Sequence, residues 1–433
     1  MMKNETPEKG ILTGALPLTP IQKWFFGKKL ENIHHFNQST LLEMKETVTP
    51  YMIKAIFNVI VQYHDVFRMR YKFENGQYLQ EYTDNCSIEV EEKEISLEDI
   101  PEDATNVQSS LNIFDGPLVK VVLYQCKNST QRLLIVAHHL VIDGVSWRIL
   151  IDDIESIYKS FLDSGRVALP AKTNSYRQWG SALMDYATSE EGKKEEKYWL
   201  DVEKSIKPTF LPSDFDKCAD DAGCDGIEIS LNETETQRLI QDAPKKYDTQ
   251  INDILLTALT LAAGDVSGSY EFSFSLEGHG REDVIGLDVS RTIGWFTSLF
   301  PVFLKVTDSN DLESCINEVK NALRQIPNKG IGYGIIKSYS DVLKGNLPRI
   351  SFNYLGQWDT SDSDTTVFSY AKESSGEDVD RRNASCNLID MNGLVRQSIF
   401  RMRIAYQTGF YEKSTIEKFA YQFKERLLKV IGE

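Results

Sequence analysis

Cysteine is sparse and scattered. The six thiols (Cys86, Cys126, Cys218, Cys224, Cys315, Cys386) form no C-x-x-C pair, which removes the common zinc and redox spacings and predicts free thiols in a reducing compartment. Histidine is equally thin, with six residues and no H-E-x-x-H. Basic charge is short as well: 48 Lys and Arg face 64 Asp and Glu, for a net charge of −16. Nucleic acid and anionic membranes are therefore excluded as expected partners. No apolar run approaches the roughly 20 residues of a membrane span. The first ten residues are polar and lack a signal core, so the expected location is the cytoplasm. The glycine-rich stretch Pro327–Gly334 follows no predicted strand and lacks the Gly-Lys-Ser/Thr ending of a phosphate loop, so it does not predict nucleotide binding.

What is present is ordinary for a folded protein. Hydrophobic residues make up 41% of the 433, enough for a large core without disulfide staples. Residues 1–13 read as linker. Residues 14–204 form a first α/β lobe and 205–433 a second of similar size. The boundary lies in a Pro-, Gly-, Asp- and Ser-rich stretch around Pro208, Pro212, Gly223 and Gly226. Strands are expected around Phe36–Met44, Leu118–Cys126, Leu133–His138, Ile227–Leu231, Tyr270–Leu276, Phe296–Val306, Ile350–Leu355 and Phe400–Tyr406. Thr19-Pro20 and Thr49-Pro50 mark helix starts. Residues 359–380, rich in Asp, Ser and Thr, predict a mobile loop.

The densest chemistry lies between a strand and the clearest helix. An apolar strand runs into His138-His139-Leu140-Val141-Ile142-Asp143-Gly144-Val145-Ser146-Trp147-Arg148. Neighbouring residues on a strand point to opposite faces, so one imidazole can face a cavity while the other packs inward. A metal site would need further ligands that no motif supplies. Core packing of both rings is the bland alternative. A general base is the chemical one, because histidine titrates nearest neutrality. Asp143 is read as a helix N-terminal carboxylate that pairs with an arginine and holds the turn, with a catalytic Asp as the alternative. Gly144 is read as permitting a tight turn.

A second concentration follows Tyr270–Glu277. Tyr270, Phe272, Phe274 and Leu276 alternate with Glu271, Ser273, Ser275 and Glu277, separating an apolar face from a polar one. Glu277 ends the polar row, just before Gly278-His279-Gly280-Arg281-Glu282. On its own it reads as an exposed strand-end carboxylate or, given its neighbours, as a reactive one. Further on, Ile293-Gly294-Trp295-Phe296-Thr297 sets two aromatics beside a glycine. Phe352-Asn353-Tyr354-Leu355-Gly356-Gln357 places an amide and a phenol on opposite faces of a strand. A buried Asn or Tyr needs partners, which makes a cavity-facing role reasonable.

In this order, from Pro20-Ile21-Gln22-x-Trp24-Phe25 through His-His-x-x-x-Asp-Gly-x-Ser-Trp-Arg, Glu-Gly-His-Gly-Arg-Glu, Ile-Gly-Trp-Phe-Thr, the glycine stretch and Phe-Asn-Tyr-Leu-Gly-Gln, the chain resembles the epimerization domains of nonribosomal peptide synthetases over about residues 14–430. The His-His-x-x-x-Asp-Gly part is shared with condensation domains; the Glu-Gly-His-Gly-Arg-Glu and Phe-Asn-Tyr-Leu-Gly runs are the more specific. Phe300 departs from the Tyr common there, without touching a catalytic role. The resemblance implies two chloramphenicol acetyltransferase-like lobes in a V-shaped pseudo-dimer with an active-site tunnel between them. It implies inversion at Cα, L to D, of an aminoacyl or peptidyl thioester carried on the phosphopantetheine arm of a carrier domain, with no cofactor or metal held by the domain itself. It assigns His139 and Glu277 as the two proton-transfer residues, and Asn353 and Tyr354 as supports of an enolate-like intermediate. His138, Asp143, Gly144 and Arg281 become supports of the site, with Arg281 the first choice to pair with Asp143 and Arg291 the second. The implied partners are a peptidyl carrier domain on the N-terminal side and a condensation domain downstream, the chain being one domain of a larger synthetase. The alternative is amide-bond formation by a condensation domain, which would use His139 without Glu277.

Overall fold

In the computed structural model, the described residues are 5–85, 87–164, 169–207, 211–215, 223–357, 367–383 and 387–432. The strands are β1 (Gly14–Leu16), β2 (Asn37–Met44), β3 (Met69–Glu74), β4 (Gln77–Tyr82), β5 (Val90–Ile95), β6 (Val119–Cys126), β7 (Gln131–His138), β8 (Cys224–Ser230), β9 (Glu271–Gly278), β10 (Ser298–Lys305), β11 (Ile350–Gln357), β12 (Phe368–Tyr370), β13 (Ile389–Arg396) and β14 (Ile399–Gln407). With the intervening helices they give the mixed α/β fold that the sequence predicts. The chain divides into two compact units. One comprises 1–186, 279–297 and 360–383; the other comprises 187–278, 298–359 and 384–433. The cut expected at 204/205 differs from this. The helix Glu190–Ser205 belongs to the second unit, and two segments of the second half return to the first. The Glu-Gly-His-Gly-Arg-Glu run is itself divided, with Glu277 and Gly278 in one unit and His279 to Glu282 in the other.

In the first unit a five-stranded sheet has the order β12-β2-β7-β6-β5, beside a three-stranded sheet β1-β4-β3. Strand β7 is central and buried along its whole length, which is why its sequence runs apolar on both faces instead of alternating. The helix Ile100–Ser109 covers one side through Ile100, Ala104 and Val107, packed with Leu134 and Val136 of β7. For the helix Gly144–Ser164 the apolar spacing of Val145, Ile149, Leu150, Ile154, Ile157 and Phe161 predicts one face, ended by Gly165. Ile149, Leu150, Ile154 and Ile157 are buried, Phe161 is 41% exposed, and Gly165 lies outside the described residues.

The segment expected as a mobile loop is partly a strand. Its residues 359–366 lie outside the described residues, but β12 pairs antiparallel with β2, Phe368 opposite Met44, and so forms the edge of the five-stranded sheet. Val367, Phe368 and Ala371 are buried, and Arg132 holds Glu373 through two nitrogens at 3.0 and 3.1 Å. A short apolar patch inside a polar run supplies too little local signal to be read as a strand, and an unpaired sheet edge supplies the rest.

The second unit is built on one six-stranded sheet, β10-β9-β11-β13-β14-β8. The helix Ile251–Ser267 is buried continuously from Asp253 to Gly264, as its near-uniform apolar sequence demands, and packs with the helix Lys413–Ile431. The serines of β9 are buried along with its aromatics: Ser275 Oγ donates to the Pro348 carbonyl at 2.9 Å, and Ser273 Oγ accepts from the Lys207 N–H at 3.0 Å. The glycine stretch 327–334 opens the helix Ile331–Tyr339. Its Gly332 lets the carboxylate of buried Glu195 approach to where a Cβ would be, and that carboxylate accepts from Asn328 at 2.6 Å and Trp199 at 2.9 Å. Cys126, Cys224 and Cys315 are free thiols; the other three cysteines lie outside the described residues.

Candidate active site

The histidine pair sits where β7 stops. His138 still belongs to the strand, and His139 starts a single 3-10 turn, His139–Val141, before the helix at Gly144. The turn aims the two rings differently. His138 is fully buried; its Nδ1 accepts from the Leu140 N–H at 3.2 Å, so its Nε2 carries the proton and donates to the Ile33 carbonyl at 2.9 Å. Burial pushes its pKa down to about 3. His139 is half-buried. Its Nδ1 lies 2.8 Å from the Ile142 carbonyl, which can only accept, so Nδ1 carries the proton and Nε2 the lone pair. Burial lowers its pKa too, opposed by backbone carbonyls and the Asp143 charge, and the ring is neutral at pH 7. It stacks on Trp295 with centroids 4.2 Å apart, and Phe36 lies nearly parallel at 5.7 Å.

A depressed histidine pKa has a definite sign in stability. The unfolded chain binds a proton near pH 6.5 that folded His138 refuses until about pH 3, so this contribution is complete above the unfolded pKa and is lost as pH falls towards the folded one. The expected result is an unfolding free energy that falls from pH 7 to 4 by up to about 1.4 kcal/mol per pH unit for this one group. Urea titrations of His138→Asn should show a shallower slope by up to one proton; an unchanged slope would assign the acid sensitivity elsewhere.

Asp143 caps the helix that follows. One oxygen accepts from the Ser146 N–H at 2.7 Å; the other accepts from Arg281 Nη1 at 2.8 Å and from the Phe296 N–H at 3.0 Å. Both charged side chains are over nine-tenths buried. Arg281 also donates to Ser146 Oγ and the Thr292 carbonyl, and lies over the Phe296 ring at 3.9 Å. Ser146 Oγ completes the knot by donating to the Gly294 carbonyl and accepting the Gly294 N–H. The backbone of Gly294 fits because a Cβ there would stand 2.5 Å from the Tyr176 ring. Arg291 instead pairs with Asp153, which also holds His64 at 2.8 Å. Gly144 differs from expectation: its φ is not left-handed and a Cβ would meet nothing within 4 Å. The 3-10 turn and the Asp143 cap make the corner, and Gly144 leaves open space beside them.

In the second unit, β9 and β11 run parallel with Phe352 opposite Leu276. One step further this register sets Asn353 beside Glu277, and Asn353 Nδ2 donates to Glu277 Oε2 at 2.8 Å. Both are half-buried. Tyr354 takes the opposite strand face, its ring 6.4 Å from Phe400, so the structure brings only the amide of the Asn-Tyr pair to the carboxylate. His279, exposed, receives the Arg281 N–H on Nδ1 and faces Glu282 at 3.2 Å. Among the described residues no group of three or more His, Cys, Asp or Glu could hold a metal, and no helix is long and apolar enough to cross a membrane.

Ser146 and Trp147 stand in the motif without a role read from the sequence, and Gln38 was not singled out by sequence reasoning. Trp295 had a signal, two aromatics beside a glycine; Gln38 had none beyond a polar residue in a strand.

A family model described as Condensation domain matches residues 13–433. The chain belongs to the condensation domain family. Members similar to it include bacitracin synthase 3 of Bacillus licheniformis, 37% identical over 97% of the chain, and bacitracin synthase 2 of the same organism, 35% identical over 100%. A linear gramicidin synthase protein of Brevibacillus parabrevis is 38% identical over 98% of the chain. The chain spans only 7%, 17% and 6% of the length of these three relatives. Among solved structures, the epimerization domain from the third module of tyrocidine synthetase B is 34% identical with a TM-score of 0.91, covering 99% of this chain and 98% of that one. The condensation domain of the monacolin K polyketide synthase shares the fold at 14% identity, with a TM-score of 0.77, 98% of each chain being covered. The fold is thus that of the family, and its relatives are multidomain peptide synthases.

Proposed function

We propose that this condensation-family domain inverts the Cα of an aminoacyl or peptidyl thioester, L to D, by proton transfer on two sides. The observation that carries the reading is the Asn353–Glu277 pair: a carboxyl oriented by an amide at the end of β9, which inversion requires and amide synthesis does not. The likeness to an epimerization domain over nearly the whole of both chains supports it.

The chemistry follows from the substrate. A thioester carbonyl acidifies its own α-hydrogen, so the domain needs no cofactor of its own for this step. One group removes the proton from one face and the other delivers a proton to the opposite face. His139 suits one role, because its Nδ1–H is tied to Ile142 and its Nε2 is basic. Glu277 takes the other. Asn353 orients that carboxyl, and the knot of Asp143, Arg281 and Ser146 holds the turn that presents His139. The substrate arrives on the phosphopantetheine of a peptidyl carrier domain, proposed as the N-terminal neighbour, and leaves to a downstream condensation domain.

The test is stereochemical. A carrier domain loaded with several L-aminoacyl groups is incubated with the protein in deuterated water, and the released product is analysed. The expected result is a growing D fraction carrying deuterium at Cα. Amide formation with an added acceptor, without α-exchange, would favour the condensation reading instead.

A further inference from the structure

Two side chains outside the His-His-x-x-x-Asp-Gly run bear on His139. Gln38 is the second residue of β2, opposite Ala137 of β7. Its neighbour Asn37 points the other way, to Gln108, so Gln38 faces the His139 side of the sheet. Gln38 Nε2 lies 3.0 Å from His139 Nε2, and the indole N–H of Trp147 donates to Gln38 Oε1 at 2.8 Å. An indole N–H can only donate, so it fixes which end of the amide is oxygen. The NH2 therefore points at His139, whose Nε2 holds the lone pair. From Trp147 through Gln38 and His139 to the Ile142 carbonyl, every donor meets an acceptor.

We propose that Gln38, locked by Trp147, is a positioning residue that caps the basic nitrogen of His139 at rest and must turn aside before that nitrogen takes a proton. The proposal rests on reading His139 as a proton-transfer group. Once Nε2 is protonated, its N–H faces an NH2. Flipping the amide would serve the imidazolium but set NH2 against the Trp147 N–H. Either orientation forfeits a hydrogen bond, so the pair biases His139 towards the neutral ring with a single tautomer. The other groups around the ring are accounted for. Asp143, itself paired with Arg281, raises its proton affinity; His138 is buried and neutral; Phe36 and Trp295 bring no charge.

The test is an NMR titration of the full chain with labelled histidine side chains, His139 being assigned through His139→Gln. Trp147→Phe removes only the lock, so the amide oxygen can turn to the ring: the His139 pKa is expected to rise by about half a unit or more. Gln38→Glu replaces the amide by a carboxylate that accepts from both neighbours: the expected rise is about 1–3 units, with Nδ1–H retained. A His139 pKa unchanged or lower in either folded variant would overturn the proposal. The readout needs no substrate. If the titrations shift while the wild type inverts no carrier-bound substrate, the functional reading fails and the Gln38 assignment stands.

Discussion

Glu277→Gln is expected to lose inversion by about 10²–10⁴-fold while leaving the fold and the loading of the carrier untouched. Asn353 Nδ2 donates to Glu277 Oε2 at 2.8 Å, and the carbonyl of a glutamine accepts the same bond in the same place. The side chain keeps its volume and its orientation. What it loses is any capacity to give or take a proton. His139 is unaffected, so where it serves the L face it can still remove the α-proton and return a deuteron to that face, and deuterium enters the L-aminoacyl group with retention of configuration. Where Glu277 serves the L face, the L-aminoacyl group stays unlabelled. In both cases the D fraction stays flat. Chiral analysis of the hydrolysed product, with mass detection of the label, reads both quantities at once. Wild-type inversion by this variant would sink the two-residue mechanism.

The second large effect is on stability. Asp143→Ala is expected to cost about 3–5 kcal/mol of unfolding free energy, the range for breaking one side of a buried ion pair. The carboxylate serves three donors at once: the Ser146 N–H, the Phe296 N–H and Arg281. Its removal leaves a guanidinium over nine-tenths buried with no charge opposite, and it uncaps the helix Gly144–Ser164. The damage should spread to His139, because Trp295, its stacking partner, is next to Phe296. Asp143→Asn retains the cap oxygen and should cost less. Combining Asp143→Ala with Arg281→Leu removes the stranded charge, so the double variant should be less destabilised than the sum of the two single ones. Strict additivity in urea denaturation would show that the pair is not energetically coupled.

Much of this site was readable locally. An apolar run ending in two histidines, then Asp-Gly and an amphipathic pattern, already describes a strand, a corner and a capped helix. The alternation of β9 likewise identified its core face. Local pattern failed where pairing overrode it. Strand β13 is central in its sheet, between β11 and β14, yet the sequence reading placed no strand between 355 and 400. It contains Asn392-Gly393, a dipeptide typical of hairpin turns. The turn that joins β13 to β14 is instead Gln397-Ser398, both with positive φ at 52° and 59°. Gly393 is used for packing, since a Cβ there would press on Met402 and Phe400.

The sequence by itself determined the α/β class, the candidate proton-transfer residues, the capping role of Asp143 and the family resemblance, because each rests on neighbours within a few positions or on motif order. Tertiary structure paired Asp143 with Arg281, the first choice from the sequence, and alone decided that Asn353 and not Tyr354 meets Glu277 and that Gln38 lies against His139. Those outcomes depend on strand register and on where the 279–297 segment packs. Register is the summed result of many weak contacts between residues far apart in the chain, and no single stretch carries that sum.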